Sequence, residues 1–261
     1  MKKIIKKILR LFGFDIVRYK DKRIKYISVD NLIRRYDTAT GKYFLPNNAP
    51  EDAVMNAIIN DKIFEEDVVD CARRYINKGT AVLDIGSNFG QMSIIFSKLV
   101  TSSGKVYSFD ADDFIFDLLK KNINVNKCEN IIPIFGAVYN RDKDILFFPK
   151  QDFQKFKSYG AYGIDPNSKQ GRTVQSITID SLNIQEKISL MKIDIQGADL
   201  QAMQGAVNTI KKNKMPIIFE FEYLLQDEFK LDFQEYIDFV NSIDYKFDRV
   251  IGGHNYLIIP K

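Results

Sequence analysis

Several acidic side chains follow apolar, β-branched segments of the sequence, where the carboxyl end of a strand would place them. In chain order they are Asp84, Asp110, Asp194 and Glu220. Because the carboxyl ends of parallel strands face one crevice of an α/β sheet, we expect these carboxylates to surround a common site. Carboxylates so placed can hold ribose hydroxyls, balance a cationic ligand or accept a proton.

A glycine turn follows the first of these segments, in Asp84–Gly90, and leads into a helix expected to begin near Phe89. Gly86 and Gly90 would let a ligand approach the backbone N–H groups at the helix start, where a Cβ would collide. We expect this turn to face solvent when the site is empty. The turn therefore predicts a cofactor pocket.

The residues around the turn distinguish between two cofactor classes. A dinucleotide fingerprint starting at Gly86 would need glycines at positions 88 and 91, where the chain has Asn88 and Gln91. The carboxylate of Asp84 instead suits a ligand with a cationic amino-acid end, such as S-adenosylmethionine. Asp-x-Gly-x-x-x-Gly also resembles the first motif of class I methyltransferases. A strand, turn and helix without any ligand stays open at this point.

Alternating strands and helices from Ala81 onward predict an α/β fold with a mostly parallel sheet and helices on both faces. A hairpin around Gly252–Asn255 closes it. We assign residues 79–261 to this domain, with an insertion at 141–172 as a substrate segment. Residues 26–78 are predicted to be a cap or lid, loosely structured over 26–60, with helices at Glu51–Ile63 and Asp67–Ile76. At least one of Glu65 and Glu66 is expected to be a solvated acid in a first helical turn.

The positive charge of the chain lies in its N-terminal 25 residues. These hold ten Lys and Arg against two Asp, so the formal charge of +4 leaves the remaining chain at about −4. An acidic body argues against a nucleic-acid partner. Residues 1–12 predict a basic amphipathic helix, which would lie on an anionic membrane surface or pack on the domain; both remain open.

Other features indicate where the protein works. No apolar run is long enough for a membrane span, and no signal-peptide core follows the basic start. We therefore expect a cytoplasmic protein, and the basic N-terminal segment leaves open a peripheral contact with the inner face of the membrane. Cys71 and Cys128 are expected to be buried free thiols. With one histidine in the chain, no metal site is predicted.

The motifs together resemble the FkbM family of S-adenosylmethionine-dependent methyltransferases. They are Leu83–Gly90, Phe109-Asp110, Ile177–Leu182, Met191–Ala198 with Gly205-Ala206, and Ile218–Glu222. The resemblance spans about residues 50–260 and implies the class I, Rossmann-like sheet of seven strands with an antiparallel closing hairpin. It also implies O-methylation, often of a sugar hydroxyl on a glycan or a secondary metabolite. This chain has Gln196 and Asp199 where the family usually has Glu.

The predicted cofactor site follows from these motifs. Asp110 is expected to hold the ribose, and the end of the third strand at Ala137 to pass the adenine edge. The complete predicted set for S-adenosylmethionine is Asp84, Gly86, Ser87, Asn88, Gly90, Asp110, Ala111, Ala137 and Asp194.

The predicted reacting groups lie at the ends of the fourth and fifth strands. Asp194 is the first candidate for the base, although it could instead cap the helix near Ala198. Glu220 is the second candidate, and His254 has the intrinsic pKa best suited to proton transfer but could be a solvated turn residue. The predicted acceptor-binding residues are Gln196, Glu222 and Asn255.

Three other functions remain open. The first is a nucleotide-dependent oxidoreductase, which the glycine spacing opposes. The second is a non-catalytic membrane-surface or nucleic-acid module built on the basic N-terminal segment. The third is a methyltransferase that acts on another small molecule, protein or nucleic acid.

Overall fold

The structure is a computed structural model. It describes residues 24–27, the backbone alone, and residues 32–148, 157–223 and 229–261. The predicted amphipathic helix at 1–12 lies outside the described residues.

The N-terminal cap consists of a small antiparallel sheet followed by two helices. Its elements are β1 (Ile24–Ile27), β2 (Ile33–Asp37), β3 (Lys42–Pro46), α1 (Ala53–Ile59) and α2 (Glu66–Arg73). The expectation of a loosely structured segment at 26–60 is wrong. Strands β2 and β3 form a hairpin that buries Tyr36, Tyr43 and Leu45. The turn signal at Thr40-Gly41 between apolar positions was a sequence indication of this hairpin. Both predicted helices are present but shorter.

The central sheet has seven strands, of which six run parallel. They are β4 (Ala81–Ile85), β5 (Lys105–Asp110), β6 (Ile131–Phe135), β10 (Ile188–Ile193), β11 (Ile217–Glu220), β12 (Tyr245–Ile251) and β13 (Asn255–Pro260). Their order is β12-β13-β11-β10-β4-β5-β6. β13 is antiparallel to both of its neighbours and closes the sheet with β12. This confirms the predicted class I methyltransferase architecture.

Helices cover both faces of this sheet. They are α3 (Gln91–Val100), α4 (Asp113–Val125), α5 (Asp199–Gln204), α6 (Val207–Asn213) and α7 (Phe233–Ser242). Alternate strand residues enter opposite cores: Val82 packs with the cap, α3 and α4, whereas Ala81 and Leu83 pack with α5, α6 and α7. Such two-sided burial explains why the strands read as continuous apolar runs. None of the helices in the described ranges has the length and apolar character that a membrane span requires.

The cap is held to the domain by side-chain hydrogen bonds at the edge of β3. Asn122 of α4 and Asn126, which follows the last residue of that helix, each bond to one residue of β3. Asn122 accepts the backbone N–H of Phe44 and donates to its carbonyl oxygen, and Asn126 does the same with Lys42. These amides satisfy an edge that would otherwise be unpaired. The position of the cap over the domain is therefore fixed by specific contacts.

A third small sheet flanks the insertion. It consists of β7 (Ala137–Val138), β8 (Ile145–Phe148) and β9 (Arg172–Ile177), with β9 parallel to β7 and antiparallel to β8. Cys71 is a buried free thiol as expected, whereas Cys128 is partly exposed. The sheet places the described residues between β8 and β9 above the carboxyl ends of the central strands.

Candidate active site

A cavity of about 350 Å³ opens at the carboxyl ends of β4, β5, β10 and β11. The strand order reverses there, between β4 and β10, which is where open α/β sheets bind ligands. Gly90, His254 and Asn255 do not line it. The other eleven predicted site residues do: Asp84, Gly86, Ser87, Asn88, Asp110, Ala111, Ala137, Asp194, Gln196, Glu220 and Glu222.

The glycine turn packs tightly against the strand beside it. Gly86 has φ +81°, and a Cβ built on it would lie 1.8 Å from the backbone oxygen of Asp194. The expectation that this turn faces solvent is therefore wrong. A Cβ on Gly90 would lie 2.6 Å from Leu119 Cδ1, so Gly90 serves the packing of α4 rather than the cavity. The helix after the turn begins at Gln91, two residues later than expected.

Asp110 is fixed at the end of β5 by two backbone donors. Its Oδ2 accepts the N–H of Asn88 at 2.9 Å, and its Oδ1 accepts the N–H of Asp112 at 3.0 Å. Burial raises the pKa of Asp110 to about 7, although these two backbone N–H groups act in the opposite direction. Each oxygen keeps acceptor capacity for a further hydroxyl donor. Asp110 can therefore bind a pair of ribose hydroxyls in a fixed orientation.

Asp84 is fully buried below the turn. One of its oxygens, Oδ2, accepts the hydroxyl of Ser93, and Oδ1 has no hydrogen-bond donor among the described residues. Burial raises the pKa of Asp84, and Lys192 acts in the opposite direction. The predicted fixed negative charge therefore has a nearby cation, with 3.9 Å between Lys192 Nζ and Asp84 Oδ1.

Lys192 is the functional residue that the sequence reasoning missed. Its side chain is 4% exposed, and its Nζ lies 3.3 Å from Asp194 Oδ2 and 3.3 Å from the backbone oxygen of Gly86. Burial would lower the pKa of Lys192, but Asp194, Asp84 and Glu65 outweigh burial and raise it. A signal was present, because a lysine inside the apolar segment Ile188–Ile193 must have a charged partner when the strand is buried.

Gln196 bridges the two predicted reacting carboxyl groups. Its Nε2 donates to Asp194 Oδ1 and to Glu220 Oε2, both at 3.2 Å. Among the described residues, the Asp194 oxygens accept hydrogen bonds from the side chains of Lys192 and Gln196 and not from the backbone N–H groups of α5, which argues against the capping role left open for Asp194. Asp194 is thus held between an ammonium group and an amide, at the edge of the cavity.

Glu220 lies among other carboxyl groups at the end of β11. Burial first, and then the neighbouring carboxylates of Asp194 and Asp199, raise the pKa of Glu220 well above its ordinary value. Asp199, fully buried, accepts the backbone N–H of Glu220 at 3.2 Å. A raised pKa favours the protonated form of Glu220, in which its carboxyl group can donate a hydrogen bond.

The closing hairpin places its residues at the rim of the site. His254 has a side chain that is 60% exposed, and its Nε2 lies 3.9 Å from Glu222 Oε1. Asn255 is 2% exposed and donates from Nδ2 to Glu65 Oε1 at 3.0 Å. His254 thus contacts the site through Glu222, and Asn255 contacts it through Glu65.

The cap and the insertion meet to form the roof of the cavity. Asp52, the N-cap of α1, accepts from Ser158 Oγ and from the backbone N–H of Tyr159, both at 2.9 Å. The ring of Tyr159 packs on Phe114, with centroids 5.5 Å apart. Glu65, from the cap, also lines the cavity. Glu66 is exposed in the first turn of α2, which agrees with the expectation that at least one of these two acids is solvated there.

The residues present fit an adenosyl cofactor with a cationic end. Of the described side chains that line the cavity, seven are acidic and one, Lys192, is basic. Asp110 offers a ribose site, and one buried oxygen each of Asp84 and Glu65 has no donor in the part of the chain that the structure describes. The cavity volume lies in the range of about 300–1,000 Å³ that is usual for small-molecule sites.

Two family models match the sequence. Residues 84–247 match the Methyltransferase FkbM domain. Residues 16–140 match the model of protein-L-isoaspartate(D-aspartate) O-methyltransferase, which covers less than half of the chain. The FkbM match includes the glycine turn, Asp110, Lys192, Asp194 and Glu220.

Individual proteins resemble the chain at low identity. A hexuronic acid methyltransferase, AglP, from Haloferax volcanii is 24% identical over 164 residues, which are 61% of this chain and 64% of that protein. A probable cobalt-precorrin-6B C(15)-methyltransferase from Saccharolobus solfataricus is 28% identical over 155 residues, 54% of this chain and 77% of that protein. The chain thus spans less than two thirds of the Haloferax protein.

Solved structures show the same kind of likeness. Methyltransferase FkbM from Methylobacillus flagellatus KT has 14% identity and a TM-score of 0.46, over 79% of this chain and 52% of that one. Aeropyrum pernix fibrillarin in complex with S-adenosyl-L-methionine has 12% identity and a TM-score of 0.42, over 87% of this chain and 93% of that one.

Proposed function

The chain belongs to the FkbM family of methyltransferases and uses S-adenosylmethionine as its cofactor, and we propose that it methylates a hydroxyl oxygen of a sugar, in a cell-surface glycan or its precursor. The observation that carries the proposal is the arrangement of Asp194 at the cavity edge, with Lys192 on one oxygen and Gln196 on the other.

The chemistry requires a base and a fixed acceptor. S-adenosylmethionine, when bound, supplies an electrophilic methyl group on a sulfonium centre. A sugar hydroxyl is almost wholly protonated at neutral pH, so a group beside it must take the proton as the new bond forms. Asp194 is suited to this because the Lys192 ammonium group lies against one of its oxygens and Gln196 donates a hydrogen bond to the other. Gln196 itself cannot accept a proton near neutral pH, since an amide is not basic there.

The neighbouring groups are suited to orient a polar acceptor. Glu220, in its protonated form, can donate to an acceptor oxygen, and Glu222 at the rim can accept from a hydroxyl. Several hydroxyls on one ring would use such a mixture of donors and acceptors. The Haloferax relative is a hexuronic acid methyltransferase, and this likeness supports a sugar acceptor.

Other acceptors are less well matched to this site. Seven carboxyl groups around one lysine would repel the phosphates of a nucleic acid. A secondary metabolite with hydroxyl groups would meet the same donors and acceptors as a sugar, and it is the alternative that we retain. We also propose that residues 1–12 hold the enzyme on the cytoplasmic membrane face, near lipid-linked glycan precursors.

Mass spectrometry of surface glycans from cells with and without this gene tests the acceptor. We expect the deletion to remove the mass of one CH₂ from specific sugars, and complementation with the wild-type gene, but not with an Asp194→Asn gene, to restore it. Identical glycans in both strains, together with methyl transfer by the purified protein to a non-sugar hydroxyl, would establish the alternative acceptor.

A further inference from the structure

Glu65 occupies a capping position without capping its helix. It precedes α2 with φ +47°, and its side chain makes no hydrogen bond to the first turn. Asp52, Asp112 and Asp232 stand at the same position before α1, α4 and α7, and each accepts backbone N–H groups. The Glu65 side chain instead lines the cavity. Its buried Oε2 has no hydrogen-bond donor among the described residues.

The segment that carries Glu65 is fixed from two sides. Gln91, the first residue of α3 after the glycine turn, donates from Nε2 to the Lys62 oxygen at 2.8 Å and accepts the Phe64 N–H at 2.9 Å. Asn255 at the start of β13 donates to Glu65 Oε1 at 3.0 Å. Glu65 is thus held beside the turn at Gly86, within electrostatic range of Lys192 and Asp194.

Two buried acceptor oxygens at this end of the cavity lack a donor within the described ranges. They are Glu65 Oε2 and Asp84 Oδ1, the latter on a fully buried side chain. Buried acceptors without a donor are costly, so an unsatisfied pair in one cavity indicates a missing donor group. Burial and the Asp194 charge raise the pKa of Glu65. A cationic partner beside Glu65 would lower that pKa again. Lys192 is already held by Asp194 and the Gly86 carbonyl.

We propose that Glu65 Oε2 binds the α-ammonium group of the cofactor's methionyl end, with Asp84 as a second acceptor. An ammonium group carries three donors and a positive charge, which both oxygens require. With the ribose held by Asp110 at the end of β5, the methionyl end would have Glu65 and Lys192 of the same cavity within reach. The cap then contributes directly to cofactor binding, and only the correct amino-acid end would engage it.

This assignment rests on the proposed function but can be tested by cofactor binding alone, in the absence of a methyl acceptor. If the assignment of Glu65 fails, the proposed sugar methylation is therefore unaffected. Calorimetry would measure the affinity of wild-type protein and Glu65→Gln for S-adenosylhomocysteine and for its deaminated analogue. In the wild type, loss of the amino group should weaken binding about ten- to a hundredfold, the range for a charge-assisted hydrogen bond. In Glu65→Gln the two ligands should differ much less, because the partner of the ammonium group is gone.

The neighbouring exposed acid provides the matched control. Glu66→Gln removes the same charge one residue away and should keep the wild-type preference for the amino group. The proposal is wrong if wild-type protein binds both ligands equally, a result that needs no variant. It is also wrong if Glu65→Gln weakens both ligands by the same factor, which would make Glu65 a purely structural residue.

Discussion

Replacing Lys192 with Met should destabilise the protein strongly and in a pH-dependent way. Met retains the aliphatic bulk but removes the ammonium group between Asp194, 3.3 Å away, and Asp84, 3.9 Å away. Removing one partner of a buried ion pair typically costs about 3–5 kcal/mol, because a charge is left without compensation. Solvent offers little screening of these charges, because the exposed fraction of the side chain is 4% for Lys192, 20% for Asp194 and 0% for Asp84.

The pH dependence follows from the carboxyl groups that remain. Lys192 lowers the pKa of Asp84, which burial already raises, so its removal raises that pKa further. An acid whose folded-state pKa is raised contributes stability below its unfolded value, about 4, and loses that contribution as pH rises through the folded value. The deficit of the variant should therefore be larger at about pH 8 than at about pH 5.

An exposed lysine pair provides the control for this measurement. Lys105 pairs with Glu186 through side chains that are 45% and 28% exposed, so Lys105→Met should cost no more than about 1 kcal/mol. Urea unfolding followed by circular dichroism suits a chain without tryptophan. Adding Asp194→Asn to Lys192→Met should recover part of the loss. A loss below about 1 kcal/mol at both pH values would refute the role of Lys192 as counter-ion.

Three further predictions concern the cofactor turn, Asp110 and the N-terminal segment. The affinity for S-adenosylhomocysteine should fall up to about tenfold per pH unit below about pH 7, because the pKa of Asp110 is raised to about 7 and ribose binding requires its carboxylate. Asp110→Asn should remove this pH dependence, and calorimetry that shows the same pH profile for the variant and the wild type would contradict the ribose assignment. Gly86→Ala should lower the free energy of unfolding by more than about 2 kcal/mol, because its Cβ meets the Asp194 backbone oxygen. Gly253 has φ +97° but no described atom within 4 Å of a built Cβ, so Gly253→Ala should cost only about 1 kcal/mol. Equal losses in urea unfolding would show that the positive φ, and not the contact with Asp194, determines the cost. Full-length protein should sediment with anionic but not neutral vesicles at low salt and should lose this on deletion of residues 1–12; protein that stays in the supernatant would exclude a membrane anchor.

Those parts of the site that depend on local chain order were predictable from the sequence. Asp84, Gly86 and Asn88 belong to one strand and turn, so the motif fixes their relation, and Asp110 ends the next strand, β5, which pairs in parallel with β4. Asp194 and Glu220 follow from the parallel sheet, because strand ends meet at one edge. The hairpin of the cap was also predictable, because the turn signal at Thr40-Gly41 stands between apolar positions that include Tyr36, Tyr43 and Leu45.

Long-range contacts account for what the sequence did not reveal. Glu65 reaches the cavity only because Gln91 and Asn255 hold its segment there, and neither contact has a sequence pattern. Lys192 lies in an apolar strand, and the sequence around it does not show that Asp84, more than a hundred residues earlier, lies beside its ammonium group. His254 has a suitable intrinsic pKa, yet the fold leaves it exposed at the rim, 3.9 Å from Glu222.

The most direct test of the proposed chemistry compares Asp194→Asn with His254→Ala in single-turnover methyl transfer to the acceptor identified from the glycans. Asp194→Asn should lower the rate at least about a hundredfold, within the range for general-base catalysis, while its affinity for S-adenosylhomocysteine changes little. His254→Ala should retain most of the rate. Near-normal turnover by Asp194→Asn, with loss of turnover in His254→Ala, would contradict the account and make the histidine the base.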